Sequence, residues 1–338
     1  MRSAACAVIL CCLAVLAPPR RYVVDGLSMA PGLRPGDVVE SGWFPWLDRL
    51  RRPQRHERWV LALPDGTSAI KRIVGLPGET VSIRDGDLTI GGHACISPPH
   101  LLAETASAVD GVTLRTEGNG SEGGSWQRTA PAPVIFDDAT WAPAESRMLL
   151  PVRDRGLAVV LFLRAAPTAD EPVRAKIRVG DFVVPWRIKA AGRYALVAGR
   201  LDGHLVGAAW PITDANDGSK IDRSWLPPHA PPDWDVTEPW QESLSAKAHA
   251  DEARNPTLAL GLTVAGVPLE RTTADDMIEQ VIVWRDILYR PAADGVVEWR
   301  LGPDAFFVLG DFPSASRDSR HWGPLSPGKF RSRAAPRR

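Results

Sequence analysis

Two residues of this sequence could together make an activated nucleophile. Ser28 lies in residues 26–37, a segment rich in glycine and proline, and Lys71 lies among branched apolar residues ahead of a Gly/Pro turn. A lysine held in apolar surroundings has a lowered pKa, because desolvation disfavours the ammonium form. The neutral amine can then take the proton of a serine hydroxyl. Each residue also has an ordinary interpretation, Ser28 as a loop serine and Lys71 as a lysine that extends to solvent from a sheet edge.

A third polar segment, residues 309–325, could support such a pair. It combines serine, aspartate and arginine beside a Gly-Asp turn, and Asp318 and Arg320 are spaced to form an ion pair. A cluster of this kind can also serve only to hold a loop. Strand alternation places Lys71 and Arg72 on opposite faces, so we expect one of these two cations to point inward.

The elements that must position these residues are short strands, and the fold class is predicted as mainly β. Strand-like runs separated by turn residues fill residues 22–95. A glycine-rich polar stretch follows, and further strand-like runs between 151 and 300 predict an inserted β-sandwich. The predicted divisions are an anchor (1–21), a first part of the core (22–100), a linker (101–150), the insertion (151–300), a second part of the core (301–330) and a basic tail (331–338).

The N-terminus predicts a membrane anchor. Residues 3–19 carry no charge and are flanked by Arg2 on one side and by Arg20 and Arg21 on the other. This length is at the short limit for a spanning helix, which needs about 17–25 residues. A cleaved signal peptide is the alternative, although its small-residue cleavage site is poorly matched here.

Composition excludes several classes of protein. The chain has 338 residues, and its 40 Lys and Arg balance its 40 Asp and Glu, so nucleic acid is not an expected partner. The four cysteines form no disulfide framework, and the seven histidines lack the spacing of metal ligands. We therefore predict no metal and no cofactor.

In order and content, the three segments resemble the type I signal peptidases, membrane-bound Ser/Lys proteases of the bacterial export pathway. The family's S-M-x-P-T-L-x-x-G-D is matched by residues 28–37, its K-R-x-x-G-L-P-G-D/E by residues 71–79, and its G-D-N-x-x-x-S-x-D-S-R-x-W-G by residues 310–323. The resemblance covers a little over a quarter of the chain and does not extend to its middle. Departures are Gly32 for the family's threonine and Phe312 followed by Pro313 in the third motif.

The resemblance implies a role for each matched position. Ser28 would be the acylated nucleophile and Lys71 its general base, while Ser316 would orient the lysine amine with Asp318 and Arg320 behind it. The backbone N–H of Ser28 would meet the oxyanion, since Gly26 offers no side-chain donor. The apolar pockets for small substrate residues would be lined by Val24, Met29, Leu33 and Ile70.

The implied function is the removal of signal peptides from exported preproteins after Ala-x-Ala-like sites. The implied partners are preprotein signal peptides and membrane lipid. The implied location is the bacterial cytoplasmic membrane, with a single-pass anchor and the catalytic domain on the extracytoplasmic side. A chain without catalysis, in which an inactive core tethers a β-sandwich binding domain to the membrane, is the main alternative.

Two enzyme alternatives share parts of the pattern. Residues 68–71 spell S-x-x-K, the acylation motif of penicillin-interacting enzymes, but that motif requires a helix and this segment predicts a strand. Self-cleaving SOS repressors share a Ser/Lys core, but they carry a DNA-binding head and lack an anchor.

Overall fold

The computed structural model describes most of both ends of the chain and the strands of its middle. The residues described are 20–41, 51–63, 66–95, 97, 99–109, 115–117, 126–130, 143–144, 152–164, 173–201, 204–212, 240–243, 260–265, 277–291 and 294–336. The chain divides into two compact units, the first made of Met1–Cys95 with Leu288–Arg338 and the second of Ile96–Ile287.

In chain order, the elements of the second unit lie between two groups of elements of the first unit. The first unit begins with β1 (Arg21–Val23), β2 (Val38–Glu40), β3 (Arg58–Ala62), β4 (Ser68–Gly75), β5 (Thr80–Arg84), β6 (Asp87–Ile90) and β7 (His93–Ala94). The second unit contains α1 (Pro99–Thr105), β8 (Ser107–Ala108), β9 (Arg115–Glu117), β10 (Trp126–Ala130), β11 (Arg155–Leu163), β12 (Val173–Val179), β13 (Phe182–Ile188), β14 (Gly192–Leu201), β15 (His204–Ile212), β16 (Trp240–Ser243), β17 (Leu260–Ala265) and β18 (Ile278–Arg285). The first unit resumes with β19 (Glu298–Arg300), β20 (Phe307–Leu309), α2 (Ser319–Trp322), β21 (Phe330–Arg333) and β22 (Ala335–Pro336), and short 3-10 turns occupy Pro313–Ala315 and Pro327–Lys329.

The first unit is built from three antiparallel sheets. Their strand orders are β1-β2-β22, β20-β4-β3-β21 and β19-β5-β6-β7. The central strand β4 pairs with β3 on one side and with β20 on the other, so it joins the N-terminal and C-terminal parts of the chain. Ile73 and Val74, on opposite faces of β4, belong to two different apolar clusters, so both faces of this strand are covered.

The second unit contains two antiparallel sheets that share an apolar core. One sheet has the order β13-β12-β17-β10-β9 and the other β16-β15-β14-β11-β18-β8. Alternate residues of β11 (Leu157, Val159, Leu161) lie in the same buried cluster as alternate residues of β12 (Val173, Ala175, Ile177). The residues between them on β11 pack in a second cluster with Leu102 of α1, so β11 is buried on both faces.

Comparison with the sequence predictions gives a mixed outcome. The mainly β fold class is confirmed. The segment 101–150, predicted as a linker, contains most of α1 and the strands β8–β10, which pair with strands of the second unit. Residues 288–300, predicted within the insertion, belong to the first unit. Residues 1–19 of the predicted anchor lie outside the described residues, and within the described ones no helix is long and apolar enough to cross a membrane.

Candidate active site

Ser28 lies in the loop between β1 and β2, and the loop is held by its own backbone. The amide of Val24 donates to the carbonyl of Asp37 at 2.8 Å, and the amide of Leu33 donates to the carbonyl of Met29 at 2.8 Å. Met29 and Leu33 are buried at 1% and 2% exposure, so apolar side chains fix the part of the loop that follows the serine. Ser28 itself remains half-buried and within reach of solvent.

Lys71 reaches Ser28 from strand β4. Its Nζ lies 2.7 Å from Ser28 Oγ, and Lys71 is only 3% exposed. Desolvation by burial lowers the pKa of Lys71 from 10.5 to about 8, against the opposing charges of Asp318 and Asp311 and with a smaller lowering by Arg320. A substantial fraction of the amine is therefore neutral near pH 8 and can accept the serine proton.

Asp318 is the centre of a buried hydrogen-bond network behind the lysine. It is 0% exposed and accepts two hydrogen bonds from Arg320, Nε to Oδ1 and Nη2 to Oδ2, each 2.8 Å long. Ser316 Oγ donates to Asp318 Oδ2 at 2.8 Å, and the amide of Gly310 donates to the same oxygen at 3.0 Å. Because this bond uses the only hydroxyl hydrogen of Ser316, its oxygen lone pairs remain free to accept.

Asp318 also begins α2, which explains why this turn is so well fixed. It is the N-cap of the helix and accepts from the amide of Arg320, and His321 Nδ1 accepts from the Asp318 amide in a capping box. Arg320 further donates to the carbonyls of Arg290 and Pro313 at 3.0 Å. The guanidinium thus ties together three separate stretches of the first unit.

A second buried ion pair lies on the other face of β4. Arg72 donates from Nε to Asp311 Oδ1 at 2.8 Å and from Nη2 to Oδ2 at 2.6 Å. The alternation of side chains along a strand predicted that one of Lys71 and Arg72 points inward. Both residues are only 3% exposed, because both faces of β4 are covered. The sequence pattern predicted no role for Arg72 or Asp311, although each lies next to Lys71 or Gly310 in one of the matched motifs.

Gly310 was also missed, and the structure gives it a steric role. A Cβ built there would lie 2.5 Å from the carbonyl oxygen of Ser28 and 2.6 Å from Cβ of Ser316. The Ser28 carbonyl also accepts from the amide of Phe312 at 3.1 Å. That contact uses backbone atoms alone, so the departure from the family's asparagine at Phe312 leaves it intact. The loop that carries the serine is therefore seated directly on the 310–316 turn.

The residues predicted to line a substrate pocket lie together. Val24, Met29 and Leu33 belong to one buried apolar cluster, and Ile70 packs against it. The cluster adjoins both elements of the pair, since Met29 follows Ser28 and Ile70 precedes Lys71 in the chain.

The alternative based on S-x-x-K is excluded by the secondary structure. Ser68 and Lys71 both lie in β4, where residues three positions apart point to opposite faces of the sheet. The serine next to Lys71 Nζ is Ser28. In the part of the chain that the structure describes, three or more His, Cys, Asp or Glu residues nowhere group in a way that could hold a metal ion.

Comparison with known proteins identifies a family to which part of the chain is similar. A family model described as "Signal peptidase, peptidase S26" matches residues 1–126, which include Ser28 and Lys71. This part of the chain is similar to the type I signal peptidase family. This family consists of serine endopeptidases.

Three bacterial relatives quantify the similarity. Signal peptidase I V of Bacillus subtilis is 27% identical over 140 residues, which are 41% of this chain and 82% of that protein. Signal peptidase I of Bacillus amyloliquefaciens is 35% identical over 95 residues, and that of Bacillus licheniformis is 30% identical over 102 residues. These alignments cover 28% and 29% of this chain and 49% and 51% of the relatives, so the chain spans about half the length of these two signal peptidases.

Proposed function

We propose that the chain is a membrane-bound endopeptidase that removes N-terminal signal peptides from exported preproteins, with Ser28 as nucleophile and Lys71 as general base. The observation that carries the proposal is the 2.7 Å contact between Lys71 Nζ and Ser28 Oγ, made by a lysine whose pKa is lowered to about 8. A buried amine at this distance from a half-buried hydroxyl is in the geometry that nucleophile activation requires.

The proposed reaction has two stages. As Ser28 Oγ attacks the scissile carbonyl, neutral Lys71 takes the hydroxyl proton and becomes an ammonium. The tetrahedral oxyanion is met by the Ser28 backbone N–H, and a preorganised donor of this kind is typically worth about 3 kcal/mol. Lys71 then gives its proton to the leaving amine of the mature protein, and the signal peptide remains as an ester on Ser28.

The second stage releases the signal peptide. Water enters in place of the amine, Lys71 takes one of its protons, and the resulting hydroxide attacks the ester. Collapse of the intermediate returns the proton to Ser28 Oγ and frees the carboxylate end of the signal peptide. The reaction thus needs no metal and no cofactor, because a single amine carries the proton in both stages.

Ser316, Asp318 and Arg320 are proposed as positioning residues. The Ser316 hydroxyl is oriented by its bond to Asp318, which leaves its lone pairs available to a proton of Lys71. The bidentate pair of Asp318 with Arg320 fixes the carboxylate and limits how strongly its charge raises the pKa of Lys71.

The remaining parts of the proposal concern substrate and location. Val24, Met29, Leu33 and Ile70 form one apolar cluster beside the pair, which supports recognition of small residues in Ala-x-Ala-like sites. The uncharged residues 3–19 support a single-pass anchor in the bacterial cytoplasmic membrane, with the catalytic unit on its outer side. The shared apolar core of its two sheets supports a β-sandwich insertion.

A cleavage assay tests the proposal. The detergent-solubilised full chain is incubated with a preprotein whose signal peptide ends in Ala-x-Ala, beside Ser28→Ala and Lys71→Ala. We expect the wild type to cut after that site and both variants to lose at least a thousandfold in rate. Uncut preprotein with a folded wild-type chain and lipid present would refute the activity and favour the tethered binding protein.

A further inference from the structure

The five-stranded sheet of the second unit carries an unusually charged outer face. In β12 the residues alternate between buried and exposed, and the three exposed ones are all cations: Arg174, Lys176 and Arg178. The neighbouring edge strand β13 adds Arg187, which is exposed and lies directly opposite Arg174. We refer to these four residues as the basic face.

Among the described residues, no acidic side chain occupies the positions that face the basic face on the neighbouring strands. At the same register positions β13 presents Val183 and Pro185, and β17 presents Gly261, Thr263 and Ala265. Among the residues that the structure describes, the four cations have no ion-pair partner, and Asp181 lies in the turn after β12.

The charge pattern has a cost for the fold. Like charges directly opposite one another on neighbouring strands are destabilising, and the Arg174–Arg187 pair is of that kind. The chain as a whole is neutral, with 40 cationic and 40 anionic residues, so the basic face is a local concentration and not part of a general excess. A local concentration of this kind attracts an anionic partner over about a Debye length.

The shape of the face distinguishes between anionic partners. Along β12 successive exposed residues are roughly 7 Å apart, and the strands are roughly 5 Å apart, so the charges form a regular grid. β17 contributes only small residues to the face. The exposed apolar side chain beside the cations, Val183 at 43% exposure, is not an aromatic anchor of the kind that dominates protein–protein interfaces. No aromatic residue occupies the register positions of this face in β12, β13 or β17, so it offers no platform for stacking bases.

We propose that the basic face docks on the anionic lipid surface of a membrane. A regular grid of cations without aromatic anchors matches the lipid phosphates of a leaflet, and each cation near such a surface strengthens binding by about fivefold. The uncharged residues 3–19 of the same chain are typical of a segment that would hold it near a bilayer. The inference concerns the second unit and does not depend on the proposed peptidase activity.

The test uses flotation of the full chain with vesicles of two compositions. Because the N-terminal apolar residues would bind any bilayer, the measured quantity is the ratio of partition coefficients between phosphatidylglycerol/phosphatidylcholine vesicles and pure phosphatidylcholine vesicles. The variant Arg174→Gln/Lys176→Gln/Arg178→Gln removes the β12 row. Its matched control, Arg84→Gln/Arg300→Gln/Arg333→Gln, removes the same charge from exposed positions of the first unit.

The expected result is specific to the face and sensitive to salt. The β12 variant should lose at least tenfold in the ratio, the control less than threefold, and the wild-type preference should disappear at 0.5 M salt. An unchanged ratio in the β12 variant, or equal losses in both variants, would overturn the proposal. Displacement of the chain from anionic vesicles by duplex DNA at equal phosphate concentration would also overturn it. Thermal unfolding of both variants checks that each remains folded.

Discussion

The pKa of Lys71 gives the sharpest prediction, because it makes the rate depend on pH in a defined way. Burial lowers this pKa from 10.5 to about 8, and a general base must be neutral to act. At pH 7 about a tenth of the lysine is neutral, and at pH 9 about nine-tenths, so kcat/KM should rise about tenfold and then level off. A lysine with its ordinary pKa would instead give a rise of about 100-fold over the same interval, continuing beyond pH 10.

The assay is the initial rate of cleavage of a preprotein between pH 6 and 10.5 at low substrate concentration. Lys71→Arg is the matched control, because a guanidinium keeps a similar length and positive charge but cannot be deprotonated in this range. It should be inactive at every pH. A rate that is flat from pH 6 to 9, or one that keeps rising to pH 10.5, would refute the assignment of Lys71 as a base with a lowered pKa.

Three further variants test the contacts and the burial of charges around Ser28 and Lys71. Gly310→Ala should lower kcat/KM at least tenfold in the cleavage assay, because its Cβ would lie 2.5 Å from the Ser28 carbonyl oxygen and displace the turn that carries Ser316. Activity equal to that of the wild type would contradict the close contact between the Ser28 loop and this turn. Lys71→Met should raise the free energy of unfolding at pH 7 by about 3 kcal/mol. Lysine keeps its proton up to about pH 10.5 in the unfolded chain but only up to about pH 8 in the folded chain, so at pH 7 the protonated lysine destabilises the folded state and its removal is a gain. That gain should fade as the pH rises from 8 to 10.5 in urea titrations, and a gain that does not change with pH would contradict it. Asp318→Asn should lower the free energy of unfolding by roughly 3–5 kcal/mol, because it leaves a buried arginine without its counter-charge, and a loss below about 1 kcal/mol in the same titrations would contradict the network.

The sequence was most informative where strands are short and turns are marked. The alternation of apolar residues and the Gly/Pro turns of residues 22–95 predicted strands close to β1–β6, because in this region local pattern and burial agree. The limits of the insertion were less well predicted. The strands β9 and β10 border the glycine-rich residues 117–125, and β10 gains its strand structure from pairing with the distant strand β17.

In the site, too, the contacts between residues that are far apart in the chain were the hardest to predict from the sequence. Ser28 and Lys71 are 43 positions apart, and only the motif order suggested that they meet. The burial of Arg72 could not be predicted from alternation, because it depends on Asp311, which is 239 positions away. The requirement for glycine at position 310 likewise arises from the approach of two other segments to its Cα.

The most direct test of the account is to identify the residue that carries the acyl group during cleavage. The full chain is mixed with excess preprotein, quenched in acid within the first turnovers, and digested for peptide mass spectrometry. The account predicts that the signal peptide is linked through its new C-terminus to Ser28, and that the adduct is absent in Ser28→Ala. Cleavage of the preprotein by Ser28→Ala at the wild-type rate, or an adduct on any other residue, would contradict it.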